Sequence, residues 1–159
     1  LLLPLLLTAL VIVADQLSKA WIVGNFAMFE SREIIPGLFN FTYLTNKGAA
    51  FGLLNGNYGA WRQIFFVAIA VIALIVLIIA LRQLREQGWI YGVALGLIAG
   101  GAAGNLLDRL RLGAVVDFLD FYYKGHHWPA FNVADSAITV GVSLLILQQI
   151  LSGKNVSDP

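Results

Sequence analysis

The sequence predicts an all-α membrane protein, a bundle of four transmembrane helices with a small β element in the first long loop. Three observations carry that prediction. The chain is 59% hydrophobic and only 12% charged, whereas soluble domains hold roughly 45–50% apolar and about 25% charged residues. Its mean hydropathy is +0.81, more apolar surface than one soluble domain of this length can hide, so lipid is the expected solvent. Four apolar stretches each come near the ~20 residues that a helix needs to cross a bilayer. In hydrocarbon the backbone must bond to itself, which selects helices for those stretches. The length suits one compact domain, residues 1–159.

The first span covers about 1–23 and is interrupted by Asp15, Gln16, Ser18 and Lys19. A secretory signal peptide is the other reading of such an N-terminal stretch. Its apolar core would not run into an Asp15-Gln16-Leu17-Ser18-Lys19 segment and continue apolar beyond it. Leu1 is not a methionine, and a short leader is expected before it. The second span, about 64–81, carries no charge. The third, about 89–107, places Gly92, Gly96, Gly100 and Gly104 four apart, a small-residue stripe that lets another helix backbone come close. The fourth covers about 133–151, and the polar tail 152–159 is expected to fray.

Four spans put both termini on one side and leave two longer segments, 24–63 and 108–132, on the other. The short link 82–88 and the tail offer Arg82, Arg85 and Lys154. The longer segments offer Arg32, Lys47, Arg62, Arg109, Arg111 and Lys124. A raw positive-inside count assigns the long segments to the cytoplasm. Several of those cations also look like site residues, so charge alone leaves the topology open. Residues 39–45 alternate so that Phe39, Phe41 and Tyr43 share a face, after a Pro36-Gly37 turn signal. An ordinary hairpin and a small sheet with an aromatic face at the membrane interface fit this pattern equally. The segment after Val115 carries Phe121, Tyr122, Tyr123 and Trp128 and is expected to form a short interfacial helix with aromatic anchors.

Several function classes drop out. Without cysteine there are no disulfides, thiolate metal sites or cysteine nucleophiles. A net charge of +1 supplies no basic field for nucleic acid. The two histidines, His126 and His127, are adjacent and lack the spacing of a zinc peptidase, so no metal or cofactor is expected. No G-x-S-x-G context marks a serine nucleophile. Ser18 and Lys19 are helix neighbours and point apart.

What remains is a set of polar residues inside or beside the spans, of which an ionisable one costs about 2.5–3.5 kcal/mol at a helix centre. Asp15 and Lys19 are an i, i+4 pair that either neutralises itself or serves a site. Asn105 and Arg109 share a face as either a solvated helix terminus or a binding pair. Asn132 and Asp135 have the spacing of a capping box variant, and Asp135, Thr139 and Ser143 line one helical face. Asp117 sits among apolar residues, with Asp120 three positions on. Two carboxylates sharing one proton can activate water. Asp117 and Asp135 lie near the same membrane face, although any two acids beside one interface would look alike. A small transporter using Asp15, Lys19, Arg109 and Asp135 as an ion path, or an assembly protein glued by polar contacts, are the competing classes.

Five blocks in order resemble the lipoprotein signal peptidase (signal peptidase II) family. They are Asp15-Gln16-x-Ser18-Lys19, Asn46-x-Gly48-Ala49-Ala50-Phe51 and Gly104-Asn105-x-x-Asp108-Arg109. Val115-Val116-Asp117-Phe118 and Phe131-Asn132-x-Ala134-Asp135 complete the set. The resemblance implies an aspartic endopeptidase with Asp117 and Asp135 as its catalytic pair. Asp15, Lys19, Asn46, Gly48, Asn105, Arg109, Asn132 and Ala134 would be the shell that holds substrate and pair, and Asp120 a bystander. It implies a diacylglyceryl-modified bacterial prolipoprotein as substrate, cleaved just before the lipidated cysteine. It also implies the cell inner membrane and its lipid, cytoplasmic termini, a site and β element near the extracytoplasmic face, and inhibition by cyclic peptides of the globomycin type.

Overall fold

The computed structural model describes residues 2–48, 59–84 and 88–154. Helix α1 covers Leu2–Asn25, α2 Gly59–Leu84, α3 Trp89–Leu112 and α4 Val133–Lys154. All four contain stretches long and apolar enough to cross a membrane. At 1.5 Å per residue, the 24 residues of α1 or α3 reach about 36 Å, beyond a hydrocarbon core of about 30 Å. Strands β1 (Ser31–Ile35), β2 (Phe39–Asn46), β3 (Val115–Tyr123) and β4 (His126–His127) form one antiparallel sheet in that order. Arg85, Ala49, Ala50, Phe51 and the tail 155–159 lie outside the described residues.

The glycine stripe does what its spacing predicts, on α1. A Cβ at Gly96 would stand 2.8 Å from the Pro4 carbonyl oxygen, and one at Gly100 would stand 2.9 Å from that of Thr8. The Thr8 hydroxyl donates to the Gly96 carbonyl at 3.0 Å. The opposite face of α3 receives α4, where Gly141 lies against the Ala94 carbonyl and Ile98. Helix α3 is therefore the central stave, with α1 and α4 packed on it. Helix α2 rests chiefly on α3 and turns bulky side chains such as Ile72 and Val76 outward.

Two expectations are corrected. The third helix does not stop near Leu107. It continues to Leu112 and ends at Gly113, whose left-handed backbone (φ 69°) closes an N–H bond to the Arg109 carbonyl. Asp108, Arg109 and Arg111 are therefore helical, because protein partners replace the water that a loop would have offered. The second span, expected at about 64–81, falls at Gln63–Gln83 within α2, which itself begins at Gly59. Finally, Val115–Tyr123 is strand β3 and not an interfacial helix. Its β-branched and aromatic run pairs across with β2, setting Phe39 opposite Phe121 and Asn46 opposite Val115.

A bulge in β2 between Phe41 and Leu44 shifts the register so that Leu44 faces Asp117. On its other side β3 is gripped by Phe131, two residues before α4. The Phe118 and Leu119 amides both donate to the Phe131 carbonyl, at 3.0 and 2.8 Å. That bridge brings the N-terminus of α4 to the strand. Beneath it, Ile22, Phe26, Val116 and Phe118 form a buried apolar cluster joining α1 to the sheet.

Candidate active site

Polar residues of all five blocks meet where the C-terminal ends of α1 and α3 reach the sheet and the start of α4. Lys19 is 3% exposed and Asp15 fully buried, so each needs a partner. The Lys19 ammonium donates to Asp15 Oδ2 at 2.8 Å and to Asn105 Oδ1 at 3.0 Å, and stands 2.9 Å from Asp108 Oδ2. Three protons meet three acceptors, which completes the hydrogen-bonding capacity of a lysine. Gln16 Nε2 fastens the same two acids, at 3.2 Å to Asp15 and 3.0 Å to Asp108.

Each of those acids spends its remaining capacity on a backbone amide. Asp15 Oδ1 accepts the N–H of Ala134 at 2.9 Å, one of the amides at the start of α4 that lack a helical partner. Asp108 Oδ2 accepts the N–H of Val116 at 3.1 Å. Ala134 precedes Asp135, and Val116 precedes Asp117. A single lysine thus ties together two carboxylates that pin the chain one residue before each candidate catalytic acid.

Two asparagines complete the connection. Asn105 Nδ2 donates to Asp135 Oδ1 at 2.8 Å, while its carbonyl accepts from Lys19. Asn132 caps α4, its Oδ1 taking the Asp135 N–H at 2.9 Å. Its amide nitrogen donates to Asp117 Oδ1 at 2.8 Å and lies 3.3 Å from Asn105 Oδ1. The capping pattern legible in the sequence is present, but the Asp135 carboxylate is turned toward Asn105. Asn46 also hydrogen-bonds Asp117. The Asn46 Oδ1 accepts the N–H of Gly48 at 2.8 Å, and Gly48 has a left-handed backbone (φ 86°).

Asp117 and Asp135 thus receive neutral amides. Among the described residues no cation stands within salt-bridge distance of either. Burial, and then the nearby Asp135 charge, push the Asp117 carboxyl up to about 6. Arg109 is held by its own helix, Nη1 donating to the Asn105 carbonyl at 3.2 Å, and lies over the Phe66 ring. With Asn46, Lys47, Gln63 and Phe66 it lines a cavity of about 210 Å³ beside the pair.

The structure brings together Asp15, Lys19, Asn46, Asn105, Asn132, Ala134, Asp117 and Asp135 in one bonded network, with Arg109 and Gly48 at its edge. Asp120 stands apart, accepting from Asn40 at 2.8 Å and 2.9 Å from His127 Nδ1. Sequence reasoning gave no role to Gln16 or Asp108. A usable signal for Asp108 was its i, i+3 spacing from Asn105, which puts both on the face that meets α1.

A family model described as Signal peptidase (SPase) II matches residues 7–151. The chain belongs to the signal peptidase II family. Among its relatives, the lipoprotein signal peptidase of Shewanella halifaxensis is 51% identical over 92% of this chain and 85% of its own length. That of Geobacter metallireducens is 49% identical over 91% of this chain and 88% of its own. Two solved structures, both described as a bacterial membrane enzyme obtained by the in meso method, share the fold. One, at 1.9 Å, has a TM-score of 0.83 with 36% identity, covering 92% of this chain and 91% of that one. The other, at 2.3 Å, has a TM-score of 0.85 with 35% identity, covering 98% and 92%. As a signal peptidase II, the chain is a multi-pass bacterial membrane protein and a protease of lipoprotein signal-peptide processing.

Proposed function

We propose that this signal peptidase II is an intramembrane aspartic endopeptidase whose catalytic pair is Asp117 and Asp135. It removes the signal peptide from diacylglyceryl-modified prolipoproteins by cleaving just before the lipidated cysteine. The observation that carries the reading is that two acids from different elements converge through Asn105 and Asn132, each bonded by amides and neither by a cation. Two such carboxyls hold one proton between them. The ionised one takes a proton from water as the oxygen attacks the scissile carbonyl carbon. The protonated one donates to the carbonyl oxygen, and the tetrahedral intermediate collapses with proton return to the leaving amine.

The rest of the shell has two duties in this reading. Asp15, Lys19, Asn105, Asn132 and Ala134 hold the pair in place from inside the protein. Asn46 and Arg109 border the cavity, and with Gly48, whose N–H bonds Asn46, they meet the substrate backbone, Arg109 adding a fixed positive charge near the developing oxyanion. The signal peptide, itself a helix, lies along the open side of α3 between α2 and α4. Exposed Thr139 and Ser143 descend from Asp135 on that flank, their hydroxyls satisfied by the Asp135 and Thr139 carbonyls. Residues 1–159 act as one domain with four spans, cytoplasmic termini and the sheet outside the inner membrane. A globomycin-type cyclic peptide competes for the same cavity.

The test is cleavage of a diacylglyceryl-modified prolipoprotein by purified protein in detergent, beside Asp117→Asn and Asp135→Asn. Loss of turnover in each folded variant is the expected result. Parent-like cleavage by either folded variant refutes the pair, and an inert parent returns the transporter and assembly readings to contention.

A further inference from the structure

The cavity beside the candidate pair carries a charge that the catalytic reading leaves unused. Lys47 and Arg109 both line it, with Asn46, Gln63 and Phe66, and no acidic side chain does. Among the described residues neither cation has a carboxylate within salt-bridge distance. The Arg109 guanidinium donates from Nη1 to the Asn105 carbonyl at 3.2 Å and lies 5.5 Å from the centroid of the Phe66 ring. An arginine has further N–H donors in a fork that suits a carboxylate.

Both cations are set in place by neighbours that are themselves fixed. Gln63 Nε2 donates to the Arg109 carbonyl at 3.0 Å, fastening α2 to the last turn of α3. The Phe66 ring lies so close to Gly48 that no side chain fits between them. Lys47 is the middle residue of a turn closed by the Gly48 N–H on Asn46 Oδ1 at 2.8 Å. Asn46 also bonds Asp117, so the turn that presents Lys47 is tied to the candidate acid. The Lys47 side chain itself is exposed.

Peptide hydrolysis makes an anion at this place. It breaks a neutral amide, putting the water oxygen on the acyl carbon and a water proton on the leaving amine. The new carboxyl then ionises, since such a group loses its proton well below neutral pH. The signal peptide gains at its cut end a negative charge that the uncut substrate lacks. The catalytic acids repel that end, and two uncommitted cations face it from the cavity.

We propose that Lys47 and Arg109 form a carboxylate site that holds the cut end of the signal peptide, so that the free peptide acid is a product inhibitor. The inference rests on the peptidase reading above. Arg109 already stands near the scissile carbonyl in that reading, and Lys47, which it leaves without a role, is the new member. The substrate is neutral at this point, so the site favours product over substrate and slows its release.

The probe is a synthetic signal peptide with a lysine-bearing start, an apolar core of about ten leucines and a small-residue end. It is made once as the C-terminal acid and once as the C-terminal amide, and fluorescence anisotropy of each is read on the full chain in nonionic detergent. The acid is expected to bind about tenfold tighter than the amide. Lys47→Gln should shrink that ratio by about threefold, as loss of one exposed ion pair does, and Lys47→Arg should keep it. Equal affinities for acid and amide on the parent overturn the proposal. So does an unchanged ratio in Lys47→Gln. If that variant binds neither peptide, the parent in about 0.5 M sodium chloride decides the matter, because screening must shrink the ratio. A ratio that survives the salt overturns the proposal. No turnover enters these measurements. A missing acid preference beside intact prolipoprotein cleavage overturns only the carboxylate site, whereas an inert parent overturns the peptidase reading beneath it.

Discussion

Four aspartates lie in one network at the top of the bundle, and they fall into two pairs. Asp15 and Asp108 share the Lys19 ammonium, at 2.8 and 2.9 Å, and each also accepts from Gln16 and from a backbone amide. Asp117 and Asp135 are bonded by the side chains of asparagine. Asp120, on the same strand as Asp117, has His127 beside it. An acid bonded to a basic side chain and to backbone amides serves as a fastener. An acid surrounded by neutral donors and another acid keeps a proton within reach, which is what general acid–base chemistry requires. The difference is made by which elements surround each acid, and not by anything in its own sequence neighbourhood.

The largest way to break that contrast is to remove the shared cation. Lys19→Met leaves two buried carboxylates unpaired and is expected to destabilise the fold by about 3–5 kcal/mol. Thermal unfolding in detergent would read it. Adding Asp15→Asn and Asp108→Asn to Lys19→Met removes the stranded charges, and most of the stability should return. A triple variant as unstable as Lys19→Met alone would mean that the triad is not the source.

A smaller effect is expected where the two pairs are joined. Asn132→Ala deletes the cap of α4 and the donor to Asp117 together. Its cost is expected near 1–3 kcal/mol, from a lost cap and an unsatisfied buried acceptor. Asn132→Asp keeps an acceptor for the cap but sets a third acid beside Asp117. It should therefore hold more of the fold than Asn132→Ala while cleaving no better. Better cleavage by Asn132→Asp would show that the amide is not needed to support the pair.

Much of this arrangement was legible in advance, and the gaps have physical reasons. The spans follow from apolar length, and the stripe from Gly92 to Gly104 from its spacing, because both are local properties. Asp15 with Lys19, and Asn132 with Asp135, were visible as helical spacings. The role of Asp108 was not, since its partners Lys19 and Val116 come from an element 89 positions back and from the next strand. Strand β3 was read as a helix because its aromatic cluster suits an interface in either conformation. Pairing with β2, some 80 positions earlier, settles the choice. Asp117 and Asp120 were indistinguishable by the same logic, since only the fold sets His127 beside one and Asn132 beside the other.

The glycine stripe offers a graded test of how closely the fastening acids are held. A methyl at Gly104 would fall 2.6 Å from Asp15 Oδ2, whereas one at Gly92 would meet a Pro4 ring carbon at 3.1 Å. Gly104→Ala must push the carboxylate off Lys19 or move the helix. About 1–2 kcal/mol of destabilisation is expected, within the range for overpacking. Gly92→Ala asks only a small shift of Pro4 and should lie within about 0.5 kcal/mol of the parent. Equal losses at the two positions would show that the stripe acts through helix approach alone and not through Asp15.

The finest test concerns the proton itself. Asp117 is raised to about 6 by burial first and the Asp135 charge second. The folded protein therefore keeps a proton that the unfolded chain releases near pH 4. Between about pH 4 and about pH 6 the folded state binds more protons than the unfolded one, so this group makes stability fall as pH rises through that window. Asp135→Asn removes the second cause and leaves the first. The Asp117 midpoint should move down without reaching the ordinary carboxylate value, and the window of falling stability should narrow from its upper end. The infrared band of the protonated carboxyl, with Asp117→Asn as the blank, would follow the titration. A midpoint that does not move would mean that the two acids do not sense each other and share no proton. A midpoint that drops to the ordinary value would make the neighbouring charge, and not burial, the whole source of the shift.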